Sequence, residues 1–193
     1  ILIGTQMLFQ GAPLPLVPFV GLPHADAGLH VPDFRSAERT YHALLDAIDL
    51  AQPEDAGGKV VLQTYLPTHH AIASVVQHNP ATFYEQELPF RQALGYPPFT
   101  HLISLHVSGK HPGSVKEAAE RWAGWLKTAA GRSPGEVTIL GPIPAPVAQR
   151  RGLHRWQILI KSGNGKAAHQ TVQLTLDELE RTKGQSGLKF DVD

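Results

Sequence analysis

The chain has 193 residues, 42% of them hydrophobic, enough for one sizeable domain or two small ones with cores of their own. Seventeen basic and seventeen acidic side chains give a formal net charge of zero, so any nucleic-acid contact must rest on a local patch rather than a global field. Zero cysteines exclude disulfides, thiolate zinc sites and cysteine nucleophiles within the chain, and no run approaches the roughly 18 apolar residues of a membrane span; a soluble, cytoplasmic protein is expected.

Ile1-Leu2-Ile3-Gly4-Thr5 opens without a Met or a basic, signal-like segment. It reads as a buried strand short of neighbours, the mark of a fragment or truncated product. Residues 17–22 form a second apolar run, and both are expected in a mostly parallel sheet with residues 9–15 as a loop between them. Ala37, Tyr41, Leu44, Leu45 and Ile48 recur at helical spacing, predicting a helix over 34–50 after Pro32-Asp33. The Gly- and Pro-rich residues 52–58 break it, and 59–65 is a Val-rich strand. Two more helices follow, over 67–77 and from Pro80 to about Gly95. Tyr96-Pro97-Pro98-Phe99 then reads as a rigid linker, because each proline fixes its own φ and disfavours helix before it. A domain boundary is expected there, giving domains 1–99 and 100–193.

In the second half, Ile103, Leu105 and Val107 alternate as a strand, and Val115, Ala118, Ala119, Trp122 and Leu126 form a helical stripe. A strand over 137–140, the Pro-rich residues 141–146 and at least one strand within 148–161 follow. A helical stripe through Ala168, Val172, Leu176 and Leu179 and a last strand at Leu188, Phe190 and Val192 complete the order βαββαβ. That is a split-βαβ arrangement of the ferredoxin-like kind, which supports many functions and identifies none.

The best candidate site is the basic loop Gln149-Arg150-Arg151-Gly152-Leu153-His154-Arg155. Guanidinium groups clamp phosphate or carboxylate bidentately, and the tip glycine lets the backbone approach. Alternation along the following strand puts Arg155, Gln157 and Lys161 on one face and Trp156, Ile158 and Ile160 on the other. A solvated hairpin is the bland alternative. Trp122 and Trp125 are potential stacking platforms, but Trp122 lies in the apolar stripe and is expected in the core. Eleven histidines, His69-His70 among them, show no ligand spacing, and no metal or other cofactor is expected. Asp33, Arg35, Glu38 and Arg39 are equally served by DNA contact or by ion pairs along a helix.

Several segments in order resemble one family. Ile1-Leu2-Ile3-Gly4-Thr5-Gln6-Met7-Leu8, Ala25-Asp26-Ala27-Gly28-Leu29, Pro32-Asp33-Phe34-Arg35-Ser36-Ala37-Glu38-Arg39, Val61-Leu62-Gln63-Thr64, Gly141-Pro142-Ile143-Pro144-Ala145-Pro146, Arg155-Trp156-Gln157 and Asp191-Val192-Asp193 are similar to segments of the PriA (primosomal protein N′) family. The resemblance covers the whole chain. It implies that 1–99 is the later part of a RecA-like second helicase lobe and that 100–193 is the family's C-terminal domain.

The departures bear on activity. In the family, the helix after the Asp-Phe-Arg-Ser-Ala-Glu-Arg segment ends in Gln-Val-Ala-Gly-Arg-Ala-Gly-Arg, whose arginines reach the ATP phosphates. The equivalent stretch here is Asp46-Ala47-Ile48-Asp49-Leu50-Ala51-Gln52-Pro53, with Leu50 and Pro53 where arginines are expected and with Asp46 and Asp49 repelling phosphate. The family's Lys-Gly after the opening motif is Gln10-Gly11. No phosphate-binding loop with the Gly-Lys-Ser/Thr signature occurs in the chain. The resemblance therefore implies a degenerate lobe without ATPase activity, used as a DNA-binding and partner-recruiting module. Implied partners are forked or branched DNA, single-stranded DNA, the single-stranded-DNA-binding protein with its acidic tail, other primosome components and the replicative helicase. Two alternatives stand beside this reading: part of an ATP-dependent 3′ to 5′ helicase whose other lobe lies elsewhere, and a purely protein-docking domain for an acidic peptide.

Overall fold

A computed structural model of the chain describes residues 1–5, 8, 14–132, 136–183 and 187–193, with the backbone alone at 177 and 180–183. Its contacts divide it into two compact units, Ile1–Phe90 and Arg91–Asp193. Both mix helix and sheet.

In the first unit, β1 (Phe19–Leu22) and β2 (Lys59–Leu62) run parallel, with Phe19 opposite Lys59 and Leu22 opposite Leu62. α1 (Ser36–Ile48) lies between them in sequence and buries Ala37, Tyr41, Leu44 and Ala47, the apolar stripe read from its spacing. Ahead of α1, Asp33 accepts the Arg35 N–H at 2.9 Å and pairs with Arg39 at 2.7 Å, which ties the helix entry to its first turn. α2 (His70–Val76) and the first part of α3 (Pro80–Ala93) close the core, where the Tyr41 and Phe83 rings stack at 4.3 Å beside Ile72 and Val75. His70 Nε2 lies 2.8 Å from the Glu87 carboxylate, which is only 3% exposed.

Two expectations are corrected. Residues 1–5 are not a buried strand: they form an exposed segment without regular structure, in which the Thr5 carbonyl accepts the Leu8 N–H at 2.9 Å and not a hydrogen bond from a neighbouring strand. The paired strands are also less buried than a sheet covered on both faces, since Phe19 and Val61 are exposed while Val20, Leu22, Val60 and Leu62 are half-buried. Residues 9–13 of the anticipated loop between the two apolar runs lie outside the described residues.

The second unit contains β3 (His101–Gly109), α4 (Pro112–Ala130), β4 (Val137–Arg150), β5 (Leu153–Ser162), α5 (Gly165–Lys183) and β6 (Lys189–Val192), in that order. The sheet order is β4-β5-β3-β6, and all neighbours are antiparallel. One sheet face packs against α4 and α5 through Ile103, Leu105, Val107, Ile158 and Ile160, together with Trp122, Leu126, Ala168 and Leu179. The Trp122 indole N–H donates to Thr175 Oγ1 at 3.0 Å, so this ring is core and not a stacking platform. Trp125 is partly buried and packs against the same cluster.

The Pro-rich segment is a further correction. The pattern ends a strand at Leu140 and resumes within 148–161, but Gly141-Pro142-Ile143-Pro144-Ala145-Pro146 lies inside β4, with shifts of register between Leu140 and Ile143 and again between Pro144 and Gln149. An edge strand tolerates this. β4 pairs on one side only, and prolines, which lack an N–H, are accommodated at edges and bulges.

Candidate binding surface on the second unit

The basic loop is the tip of the β4–β5 hairpin. Gln149 pairs with His154 and Arg150 with Leu153, leaving Arg151 and Gly152 as a two-residue turn with φ of 52° and 75°. Left-handed backbone at both central positions is the signature of a type I′ turn, which Asn-Gly or Gly-Gly adopts at least cost. Arginine there is held against its local preference, at a cost of about 1 kcal/mol. The result is a tip with Arg150 and Arg151 both exposed and no ion pair to either among the described residues.

Along β5 the side chains alternate. Ile158 and Ile160 are buried and Trp156 packs against the core, while Arg155, Gln157 and Lys161 stand on the opposite face of the sheet. These three are not equivalent. Arg155 is half-buried; burial first, and the Arg155 charge second, hold the His106 imidazole below its ordinary pKa, with Asp193 and Asp191 opposing the shift. Gln157 donates to Ser104 Oγ at 2.9 Å, and the same hydroxyl lies 3.1 Å from His106 Nε2. Lys161 donates to the Leu94 carbonyl at 2.9 Å and sits 3.8 Å above the Tyr96 ring, and burial lowers its pKa. Lys161 therefore clamps residues 94–96, whereas Arg150 and Arg151 stand clear of the fold.

The outward sheet face also carries a polar group whose partners the sequence pattern does not give. His106 is opposite Gln157 on β5 and Asp191 on β6, and its Nε2 lies 3.7 Å from Asp193. Its Nδ1 is buried without a hydrogen bond. Alternation in 101–107 placed His106 on the outer face, but only the cross-strand register shows what it meets there.

In the first unit, the positions expected from the resemblance to match phosphate-binding arginines carry no positive charge. Asp46 and Asp49 are exposed at the end of α1, Leu50 is half-buried with its carbonyl accepting the Val17 N–H at 2.9 Å, and Pro53 precedes a short 3-10 turn, Glu54–Ala56. Gln10 lies outside the described residues. The His69-His70 pair is structural: His69 Nδ1 accepts the Ala71 N–H at the start of α2 and is depressed in pKa by burial, while His70 faces Glu87. Among the described residues, no helix is long and apolar enough to cross a membrane.

Residues 92–193 match the family model described as Primosomal protein N C-terminal domain. The chain belongs to the primosomal protein N family. Its whole length is 34% identical to the replication restart protein PriA of Bacillus subtilis, covering 24% of that protein. It is 36% identical over 95% of its length to the PriA of Treponema pallidum, covering 28% of it, and 38% identical over 83% to that of Synechocystis, covering 19%. The chain thus spans about a quarter of the length of these relatives and corresponds to the C-terminal part of a replication restart protein PriA. Among solved structures, it is similar to a designed protein named Foldit4, with a TM-score of 0.34 at 12% identity over 49% of the chain and 96% of that protein.

Proposed function

We propose that this chain is the DNA-binding and partner-recruiting part of a replication-restart primosomal protein and hydrolyses no ATP itself. The observation that carries the reading is the hairpin tip, where Arg150 and Arg151 are projected into solvent on a turn whose backbone disfavours arginine. Strain of this kind is a motive for a functional assignment. Arg155 adds a third guanidinium at the base of the hairpin, and Gln157 and Lys161 extend the polar strip along β5.

The chemistry favours phosphate. Arginines without acidic partners bind a polyanion with little regard to base sequence and with strong salt dependence. Forked or branched DNA and single-stranded DNA fit this requirement. The acidic tail of a single-stranded-DNA-binding protein is the competing ligand, favoured by the chain's zero formal net charge. Primosome components and the replicative helicase would be recruited from the same bacterial cytoplasm.

The finer architecture belongs to the same proposal. The strand order β4-β5-β3-β6, with α4 and α5 on one face, supports a split-βαβ C-terminal domain over 100–193. The parallel β1–β2 pair joined through α1 supports a remnant of a RecA-like lobe over 1–99. Asp46, Leu50 and Pro53 in place of phosphate-binding arginines support loss of ATP turnover.

The test is fluorescence anisotropy with labelled forked DNA and, separately, an acidic tail peptide, at two salt concentrations. Fork binding that weakens with salt and with Arg150→Ala, Arg151→Ala or Arg155→Ala is expected. No fork binding at low salt contradicts the DNA reading, and peptide binding alone selects the docking alternative.

A further inference from the structure

The first unit contains an exposed aromatic residue whose backbone is anchored from below by a buried carboxylate. Tyr65 follows β2 and is 83% exposed. Its N–H donates to Asp26 Oδ2 at 2.7 Å, and the Thr64 hydroxyl donates to the same oxygen at 3.0 Å. Thr64 Oγ1 in turn accepts the Leu66 N–H at 2.9 Å. Asp26 follows β1, its side chain is fully buried, and Ala25 beside it donates to the Gln63 carbonyl at 2.9 Å. Loops 23–32 and 63–69 are therefore bound to each other at the carboxyl ends of two parallel strands, where open α/β sheets bind their ligands.

Three features fix the ligand class. The ring is large, flat and held on an ordered backbone, so placing it against another flat ring costs little additional entropy. Asp26 is the only acidic residue in either loop and its carboxylate is buried, while Asp33, just beyond the first loop, is paired with Arg39 at 2.7 Å. The loops carry His24, His30 and His69 instead, and the 58%-exposed His24 has its Nε2 3.3 Å from Asp26 Oδ1, a buried oxygen with no hydrogen bond. That oxygen can hold a His24 N–H as the imidazole turns toward a phosphate. An apolar peptide would not need the histidine-bearing rim.

We infer that Tyr65 is a base-stacking residue and that loops 23–32 and 63–69 form a contact for single-stranded nucleic acid separate from the β4–β5 hairpin. One stacked base makes Tyr65→Ala about five- to 150-fold weaker toward single-stranded DNA. Tyr65→Phe keeps the ring and stays within about twofold of wild type. Because no charge is removed, the salt dependence of Tyr65→Ala matches wild type, in contrast to hairpin arginine variants.

The experiment measures anisotropy of a labelled oligothymidylate with the whole chain, for wild type, Tyr65→Ala, Tyr65→Phe and Arg150→Ala/Arg151→Ala, with far-UV circular dichroism as the folding control. An oligonucleotide carrying iodouracil, cross-linked to wild type and mapped by mass spectrometry, gives a second readout that needs no variant. The predicted results are the stated loss for Tyr65→Ala, retention for Tyr65→Phe and a cross-link at Tyr65. Unchanged binding by folded Tyr65→Ala, or a cross-link map without residues 63–69, overturns the inference while leaving the hairpin reading standing. Loss in Tyr65→Ala alone overturns the hairpin reading instead, and a wild type that binds no oligonucleotide at low salt overturns both.

Discussion

Thr175→Val is expected to destabilise the second unit more than its small change in shape suggests. Trp122 and Thr175 are both buried, and the indole N–H has the Thr175 hydroxyl as its acceptor at 3.0 Å, while that hydroxyl donates to the Val172 carbonyl at 2.8 Å. Valine preserves the volume but removes the acceptor, leaving a buried N–H without a partner at a cost of about 1–3 kcal/mol. For a unit of roughly 100 residues, each kcal/mol lowers Tm by about 4–8 °C, so a fall of about 4–24 °C follows. Trp122→Phe removes the donor and leaves a cavity, and the double variant is expected to lose less than the sum of the two single losses, by about 0.5–3 kcal/mol. Urea unfolding followed by far-UV circular dichroism measures all four proteins without depending on the tryptophan signal. A Thr175→Val protein as stable as wild type would refute the burial argument, and strict additivity would refute the hydrogen bond.

Other outcomes follow from the same geometry. Arg151→Asn relieves a left-handed arginine and is expected to stabilise the hairpin by up to about 1 kcal/mol in thermal melts while weakening fork binding, a change in opposite directions. His70→Ala removes a 2.8 Å partner from the buried Glu87 carboxylate and is expected to destabilise the first unit by about 1–3 kcal/mol in urea. His106 has a folded-state pKa below its usual value of about 6.5, through burial first and Arg155 second. The unfolded chain therefore binds the proton more readily, and stability present above that usual value is lost as pH falls through it toward the folded pKa. His106→Asn should flatten that decline in urea midpoints measured between neutral and mildly acidic pH.

Strong periodicity made much of the fold legible. The stripes Ala37-Tyr41-Leu44 and Val115-Ala118-Trp122-Leu126 became α1 and α4 because a buried helical face repeats every three to four residues whatever it packs against. Residues 1–5 misled because apolar content alone does not supply a pairing partner. The continuity of β4 through 141–146 is not legible from pattern, because only at an edge or bulge are the missing proline N–H groups tolerated. Among site residues, Arg150 and Arg151 were legible as a basic pair, but the left-handed turn that projects them was not. The roles of Lys161, Gln157, His106 and Asp26 depend on partners 38 to 67 residues away or on strand register, which a local pattern does not encode.

The most direct test of the central claim is the salt dependence of forked-DNA binding by wild type and by Arg150→Ala/Arg151→Ala/Arg155→Ala. Three phosphate contacts released together should reduce the slope of log K against log salt by about 2 to 3, with little dependence on base sequence. An unchanged slope in the folded triple variant would contradict the assignment of the hairpin as the DNA-binding element.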